Sequence, residues 1–250
     1  MGFEKGKKIM RTVLLLIFFL YCVTANGEVL NHDAIVSEYN SAKKEADLGS
    51  DTAMLEVFSI FYKTYPVLAD KTQEASNYLM KSALAGNASA QFNMGFLQQN
   101  GDVFEKNIDN AILWLEKAES NGHQRSSRQL GFAYLEKYYL NEDKIDLYEK
   151  SQFWFKKSAL KGDTISMRQF ALGVLSREKD QESFKVAENW LESAVHNGDV
   201  PSMRYLAQYY ELRYEVEKDK DYLSKAKDLF KRAAELGDSE SSAWLLKNLE

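Results

Sequence analysis

Six glycines recur along the chain at nearly constant spacing, and no other sequence feature restricts the fold as much. The intervals between them run from 36 to 40 residues. A period of this length is typical of repeat proteins, in which each unit buries its apolar face only by stacking on its neighbours. The glycines are Gly49, Gly86, Gly122, Gly162, Gly198 and Gly237.

The residues around each glycine predict two amphipathic helices joined by a tight turn. Apolar or small residues recur at helical spacing on both sides of the glycine, and small ones four residues before and after it let the helices approach closely. Glycine ends the first helix because it tolerates a left-handed backbone. The second helix then begins at an N-cap residue, namely Asn87, Asp163, Asp199 or Asp238. Eight residues before the glycine we expect large packing residues: Tyr78, Trp114, Trp154 and Trp190.

Three segments with this pattern resemble the first helix of the Sel1-like repeat, a relative of the tetratricopeptide repeat. They are AILWLEKAESNG (111–122), SQFWFKKSALKG (151–162) and AENWLESAVHNG (187–198). QFNMGFLQQNGDVFEKNIDNA (91–111) resembles the second helix and connecting loop. The resemblance covers about residues 70–250. It implies an all-α fold, a right-handed α/α superhelical solenoid of about five to six Sel1-like helical hairpins.

The same resemblance predicts how the chain is divided. We expect a single solenoid over residues 26–250, with an N-terminal cap at about 34–65 and repeats at about 70–250. In the cap, Ser41 replaces the aromatic residue and Glu45 the small one. Segments 139–150 and 212–222 are rich in Tyr, Lys, Glu and Asp and depart from the glycine-rich connection of the family, so we expect loops there.

Residues 1–25 have the three parts of a secretory signal peptide. Basic residues come first, the apolar run VLLLIFFLYCV spans 13–23, and Val23 and Ala25 form a cleavage pattern. The run is shorter than the ~20 residues of an ordinary membrane span. An uncleaved anchor and acylation of Cys22 are the alternatives. Cleavage after Ala25 removes the only cysteine, and a secreted protein without disulfides fits the bacterial periplasm.

Composition argues against two classes of partner. The formal net charge is −5, whereas a nucleic-acid binder needs a clustered basic surface. Removal of the leader makes the chain more acidic, so anionic lipid headgroups would repel it, and we expect no membrane insertion after cleavage. Hydrophobic residues make up 45 % of the chain, which excludes disorder of the chain as a whole.

The sequence contains no recognisable catalytic constellation. It has no HExxH motif and no glycine-rich loop that would cradle phosphate. Its three histidines, His32, His123 and His196, do not have the spacing of metal ligands. The tryptophans recur at one repeat position, which favours packing over ligand stacking. We therefore expect a non-enzymatic protein without a metal or cofactor.

An arginine recurs six residues after three successive glycines, as Arg128, Arg168 and Arg204. This position lies off the predicted buried stripe of the second helix, and stacked repeats would place the three side chains roughly 10 Å apart. Two interpretations follow. The arginines pair with acids of neighbouring repeats, or they bind an acidic strip on a protein partner, because a guanidinium group can bind a carboxylate with two parallel hydrogen bonds.

Apolar residues also occur on the predicted first helices at positions opposite the packing stripe. These residues are Leu84, Leu113, Phe153 and Leu160. Either they line a protein-binding groove among lysines and glutamates, or the curvature of the stack buries them against the next repeat. Solvent exposure of Phe153 and Leu113 decides between the two.

These features together predict a secreted or periplasmic protein–protein interaction module with a preformed surface. Its role would be that of a scaffold, a regulatory adaptor, or an inhibitor such as an immunity protein against a toxin delivered between bacteria. Two alternatives from other classes are a hydrolase acting on cell-wall or β-lactam-like substrates and a membrane-tethered structural component of the envelope. Two or more convergent carboxylates in a concave pocket would favour the hydrolase.

Overall fold

The computed structural model describes residues 32–141, 144–177 and 180–248. The predicted signal peptide, its cleavage site after Ala25, and Cys22 lie outside these residues. Across the described ranges the chain forms twelve α-helices and one 3₁₀ turn and contains no strand. The prediction of an all-α chain built from helical hairpins is therefore confirmed.

The helices run in chain order with short connections. Their bounds are α1 His32–Asp47, α2 Asp51–Lys63, the 3₁₀ turn Ala69–Lys71, α3 Thr72–Leu84, α4 Ala88–Asn100, α5 Ile108–Ser120, α6 Ser126–Leu140, α7 Ile145–Ala159, α8 Thr164–Arg177, α9 Gln181–His196, α10 Val200–Glu217, α11 Lys220–Glu235 and α12 Ser239–Asn248. The helices form two compact units, the first ending at His123 and the second beginning at Gln124. Within each unit every helix packs against the next one along the chain.

The six recurrent glycines lie between consecutive helices in the left-handed backbone region that the repeat pattern predicts, with φ angles from 82° to 99°. The turn at Gly198 shows how the bend is held. The N–H of Asp199 donates to the carbonyl of Ala194 at 3.0 Å and closes the end of α9. The Asp199 carboxylate then accepts the N–H of Ser202 at 3.0 Å and caps α10.

Small residues on the second helices allow close packing inside each unit. In the first unit, a Cβ added to Gly95 on α4 would lie 2.6 Å from a side-chain carbon of Leu115 on α5. In the second unit, a Cβ on Gly131 of α6 would lie 2.5 Å from the ring of Phe155 on α7. Carbon atoms cannot approach this closely, so these two positions require glycine as long as the helices keep their distance.

The core residues sit one position away from the predicted tryptophans. Seven residues before each of the last five glycines stands an almost fully buried side chain; these are Leu79, Leu115, Phe155, Leu191 and Phe230. The tryptophans Trp114, Trp154 and Trp190 are only half-buried. Trp190 packs edge-on against Phe170, with ring centroids 5.9 Å apart. The tryptophans thus pack at the margin of the core rather than at its centre.

The prediction of loops at 139–150 and 212–222 is wrong. Helix α6 continues to Leu140 and α7 begins at Ile145, while α10 continues to Glu217 and α11 begins at Lys220. Lys218 ends α10 in a left-handed conformation with φ 61°, and the carboxylate of Asp219 caps α11 by accepting the N–H of Asp221 at 3.0 Å. The polar residues that suggested loops lie mostly on the exposed faces of these helices.

Candidate protein-binding surface

The arginine row forms contacts between successive hairpins of the second unit. Each guanidinium group is ion-paired with the N-cap aspartate that follows the next glycine, and we call each such pair a latch. The N–O distance is 2.7 Å in the first latch and 3.3 Å in the last. The latches are Arg128 with Asp163, Arg168 with Asp199, and Arg204 with Asp238.

These side chains are largely covered, because only 23 %, 13 % and 12 % of the three arginines is exposed. The expectation that the arginines lie off the packed surface is therefore wrong: stacking brings the next hairpin's N-cap against them. Of the two interpretations of the row, the structure shows the one in which the arginines pair with acids of neighbouring repeats.

Each latch aspartate also caps a helix, so one carboxylate serves two contacts. Asp238 accepts the N–H of Ser241 at 2.7 Å while it pairs with Arg204. Burial by itself raises the pKa of Asp238, but the hydrogen bonds from Ser241 and the charge of Arg204 outweigh it and hold the pKa below its ordinary value. The anionic form of this side chain is therefore the one that the folded protein stabilises.

Hairpins without the arginine fill the same position differently. Phe92 stands six residues after Gly86, and its ring stacks on His123, the residue after the next glycine, with centroids 4.2 Å apart. After Gly237 the position is Ala243. In the described part of the chain, the arginine thus occurs only where an aspartate follows the next glycine. Sequence analysis offered pairing with acids of neighbouring repeats as one interpretation but did not identify these aspartates as the partners.

The four apolar residues predicted opposite the packing stripe are exposed. The exposed fractions are 69 % for Leu84, 57 % for Leu113, 61 % for Phe153 and 70 % for Leu160. The alternative in which neighbouring repeats bury them is therefore wrong. Leu84 and Leu113 belong to the first unit, and Phe153 and Leu160 share one face of α7 in the second.

The second unit also contains a groove of about 590 Å³ between α9, α10 and α11, which sequence inspection missed. We call it the α9–α11 groove. Its floor is formed by Val195, Leu206, Tyr210 and Leu229. Its rim carries Glu192, His196, Lys225, Asp228 and Arg232. Within the described part of the chain, the side chains of His196, Asp228 and Arg232 make no hydrogen bond or ion pair.

A hydrogen-bonded network supports the back of this groove. The hydroxyls of Tyr209 and Tyr210 on α10 both donate to the carboxylate of Glu188 on α9, each at 3.0 Å. Tyr210 also reaches Glu192 at 3.2 Å. Burial and the two glutamates raise the pKa of Tyr210 above its ordinary value. Tyr210 therefore remains a neutral hydroxyl donor.

Arg213 extends this network to α11. Its guanidinium donates to the Tyr209 hydroxyl at 2.7 Å, to the Tyr222 hydroxyl at 2.8 Å and to Glu217 at 2.6 Å, and only 9 % of the side chain is exposed. The cation also lies 5.2 Å from the ring of Phe184 on α9. A buried arginine with this many partners fixes three helices relative to one another. The groove is therefore preformed.

No group of three or more His, Cys, Asp and Glu residues in the described ranges is arranged to hold a metal ion. No helix among those residues combines the length and apolar character that crossing a bilayer requires.

The fold and the latches define a protein built from repeated helical hairpins, and comparison with known proteins identifies the repeat. Residues 88–123, 126–163 and 200–238 match the Sel1 repeat family. The chain therefore contains three Sel1 repeats, and the resemblance seen in the sequence is confirmed. Repeats of this family generally mediate protein–protein interaction and are typically non-enzymatic.

Solved structures similar to this chain include two bacterial repeat proteins. One is the crystal structure of a Sel1 repeat protein from Oxalobacter formigenes, with 22 % identity and a TM-score of 0.60 over 84 % of this chain and 86 % of that one. The other is a protective antigen present in uropathogenic Escherichia coli strains, described as displaying an SLR fold. It has 22 % identity and a TM-score of 0.43 over 97 % of this chain and 56 % of that one. At this identity the first likeness establishes the fold alone. No curated protein matches the chain.

Proposed function

We propose that this protein is a secreted, non-enzymatic binding module that recognises a protein partner through the α9–α11 groove. The observation that carries the proposal is the groove itself. It combines an apolar floor with the polar side chains of His196, Asp228 and Arg232, which make no hydrogen bond or ion pair within the described part of the chain. Interfaces of stable complexes have this arrangement, with apolar contacts at the centre and polar groups at the rim.

The network behind the groove supports the proposal energetically. Arg213, Tyr209 and Tyr210 already hold the three helices in place, so binding requires little ordering of the protein. Preorganisation of this kind raises affinity because each side chain that binding must immobilise costs about 0.5–1.5 kcal/mol. Leu84 and Leu113 on the first unit are further exposed apolar side chains available for contact.

Binding is tested with two charge-reversal variants of α11. One changes residues at the rim of the groove, and the other changes residues on a different face of the same helix. Lys225→Glu/Arg232→Glu alters the rim of the groove, and Lys227→Glu/Lys231→Glu makes the same change in charge at residues that do not line it. A partner captured from an envelope extract is then purified, and its binding to all three proteins is measured by calorimetry. We expect the affinity for the partner to fall at least tenfold in Lys225→Glu/Arg232→Glu and to stay unchanged in Lys227→Glu/Lys231→Glu. If both variants bind the partner equally well, the groove is not the binding site.

The site of action that we propose is the bacterial periplasm, reached after removal of residues 1–25. The support is the order of a basic segment, a short apolar run and a Val-x-Ala site in the sequence. Fractionation of the native cell and the intact mass of the protein test this. A mass lacking residues 1–25 is expected, whereas a retained leader or an added lipid on Cys22 would support the membrane-tethered alternative.

The binding role has two versions that one experiment separates. If the protein is an immunity-type inhibitor, its expression protects a bacterium from a toxin encoded by a neighbouring gene, and the groove variant does not protect. If it is a scaffold or regulatory adaptor, protection is absent and the captured partner keeps its activity when bound.

A hydrolase is the second candidate, because two carboxylates line the same cavity. Glu192 on α9 and Asp228 on α11 both border the α9–α11 groove, with His196 beside them. Paired carboxylates are the groups that a general acid–base mechanism requires. The test is turnover of peptidoglycan fragments and of a chromogenic β-lactam by the wild type and by Glu192→Gln/Asp228→Asn. Turnover that this double variant abolishes would establish the hydrolase and overturn the proposal of a non-enzymatic module.

A further inference from the structure

Arg232 on α11 departs from the pattern that other first helices follow at its position. Five residues before the glycine, Lys81, Lys117 and Lys157 each lie over an aromatic ring of their own helix, with the ammonium nitrogen 5.3, 4.4 and 4.8 Å from the ring centroid. Each ring belongs to the residue eight before the glycine, which in α11 is Leu229. Arg232 therefore lacks the ring that holds the lysines, and its side chain borders the α9–α11 groove.

Asp228 is a second exception on the same helix. Nine residues before their glycine, the other five hairpins have an uncharged residue; these are Asn40, Asn77, Leu113, Phe153 and Asn189. Asp228 and Arg232 are four residues apart, so they lie on one face of α11 with about 6 Å between them along the helix. Opposite charges at this spacing often pair, but in the described part of the chain neither side chain makes an ion pair.

Two other charged groups of the groove already have contacts inside the protein. The Lys225 ammonium lies over the rings of Tyr210 and Tyr222, 5.2 and 5.6 Å from their centroids. Glu192 on α9 accepts the hydroxyl of Tyr210 at 3.2 Å. The imidazole of His196 borders the same side of the groove and can donate or accept a hydrogen bond.

Charge alternates in sign along this face of α11, through Asp221, Lys225, Asp228, Arg232 and Glu235. Only the middle three line the groove. Since Lys225 is held over two rings, α11 presents to a partner one acid and one base that have no existing contact among the described residues. A partner that supplies the two opposite charges about 6 Å apart is therefore complementary to this wall of the groove.

The volume of the groove indicates the conformation of its occupant. Lys225 and Arg232 mark its length on α11 and are seven residues apart, which is about 10 Å along the helix. A helix of this length and 10–12 Å in diameter takes up roughly 800–1,200 Å³. An extended segment, with the ~4.7 Å by ~10 Å cross-section that strands have in stacked sheets, takes up about 500 Å³. The groove, at about 590 Å³, fits the extended segment.

We propose that the α9–α11 groove binds an extended segment of its protein partner in which a basic and an acidic side chain flank one apolar residue. Alternate side chains of an extended chain lie on one side, about 6–7 Å apart, so the base reaches Asp228 and the carboxylate reaches Arg232. The apolar residue between them points away from α11, toward Val195 on the α9 side of the floor. The inference rests on the proposed function and adds the chemistry of the partner.

The two charge contacts select the segment more than they strengthen its binding. Asp228 and Arg232 are exposed, and ion pairs at the rim of an interface contribute mainly to specificity. A guanidinium group nevertheless favours a carboxylate, to which it donates two parallel hydrogen bonds. Salt should weaken binding, because exposed charges are screened over about 10 Å at 0.1 M salt.

A peptide library tests which segments the groove accepts. Random peptides of about 12 residues, displayed on phage, are selected on the full protein, and those that also bind Val195→Trp are removed. The indole of this variant occupies the floor of the groove without changing a charge. Circular dichroism confirms that the variant is folded, and Val195→Phe replaces it if it is not. We expect the remaining peptides to share a base and an acid separated by one apolar residue.

Charge reversal in both molecules then tests the two contacts, with affinities measured by calorimetry at low salt. Arg232→Glu should lower the affinity for a selected peptide at least fivefold, and replacing the acid of the peptide by lysine should restore it. Asp228→Lys should lower the affinity similarly, and replacing the base of the peptide by glutamate should restore it. Lys231→Glu is the matched control: it lies next to Arg232 but outside the groove, so the affinity should stay unchanged.

Two results overturn the inference, and they differ in what they mean for the proposed function. Selected peptides that bind Arg232→Glu and Asp228→Lys as tightly as the wild type exclude the charge contacts but leave the groove as the binding site. If no peptide distinguishes the wild type from the variant with a filled floor, the groove binds no peptide segment, and the proposed function fails together with the inference.

Discussion

The latch between Arg168 and Asp199 allows a direct test of how the repeats are held together. Replacing Arg168 by Met keeps the aliphatic stem but removes the cation. Replacing Asp199 by Asn keeps the side-chain oxygen that caps α10 through Ser202 but removes the anion. The double variant has neither charge, so the four proteins form a double-mutant cycle whose coupling energy isolates the ion pair.

The expected loss of stability follows from the burial of the two side chains. Only 13 % of the Arg168 side chain and 10 % of the Asp199 side chain is exposed, so the pair lies between an exposed salt bridge, worth about 0–1 kcal/mol, and a fully buried one, whose disruption costs about 3–5 kcal/mol. We expect each single substitution to lower the free energy of unfolding by about 2 kcal/mol. The coupling energy should be about 1.5 kcal/mol, because the second substitution no longer strands an unpaired charge.

Urea unfolding followed by circular dichroism measures these energies at low and high salt. Arg177→Met is the matched control. The Arg177 side chain is 46 % exposed and that of its partner Glu149 is 58 % exposed, so we expect a change in the free energy of unfolding within about 0.5 kcal/mol. A coupling energy below about 0.3 kcal/mol, or an equal effect of the Arg177 control, would refute the assignment of the arginine row to contacts between repeats.

Three further predictions concern the core and two titrating groups. Gly131→Ala should lower the free energy of unfolding by about 1–3 kcal/mol, measured by urea denaturation, because the added methyl group meets the ring of Phe155. The pKa of Asp238 is held below its ordinary value, so its contribution to stability is present above about pH 4 and should be lost as the pH falls further; Asp238→Asn should remove that part of the acid dependence of urea unfolding. Burial and a hydrogen bond to Asp47 raise the pKa of Tyr78 to about 12, so absorbance titration should show a tyrosine that ionises about two pH units above the usual value and is missing in Tyr78→Phe.

The hairpin repeat could be predicted from the sequence because local physics determines it. The turn needs a residue with a left-handed backbone, which Gly198 provides, and the next helix needs an N-cap, which Asp199 provides. Neither requirement depends on the rest of the chain. Both requirements act over a few residues, and they recur at each repeat. Gly95 and Gly131 likewise stand nine residues after a repeat glycine, and the structure shows their close contacts with the adjacent helix.

The position of the fully buried residues and the role of the arginines were harder to predict. The helical stripe contains both Trp154 and Phe155, and only the crossing of α6 and α7 in space decides that Phe155 is the one fully buried. Arg168 looked exposed because its own helix leaves it outside the apolar stripe. The group that covers it, Asp199, comes from the next hairpin, 31 residues later.

The α9–α11 groove could not have been predicted from one sequence by periodicity. Its lining combines residues of three helices, and the network behind it depends on Arg213 meeting Tyr222 across a helix boundary that composition had suggested was a loop. Tyrosine, lysine and glutamate are compatible with a loop and with a half-exposed helix. In the structure, the left-handed Lys218 ends α10 and Asp219 caps the start of α11, so the segment forms the ends of two helices rather than a loop.

From the latches we expect that some hairpins of the second unit can be exchanged for one another. Residues 163–198 begin with an aspartate that accepts the preceding arginine and contain an arginine that requires an aspartate after their final glycine. A second copy inserted after Gly198 would therefore find both of its partners in place, and the lengthened protein should fold with one more latch. Residues 87–122 inserted there would set Arg168 against Asn87 and Phe92 against Asp199. The arginine of one hairpin and the N-cap aspartate of the next thus determine which hairpins we expect to be tolerated as neighbours.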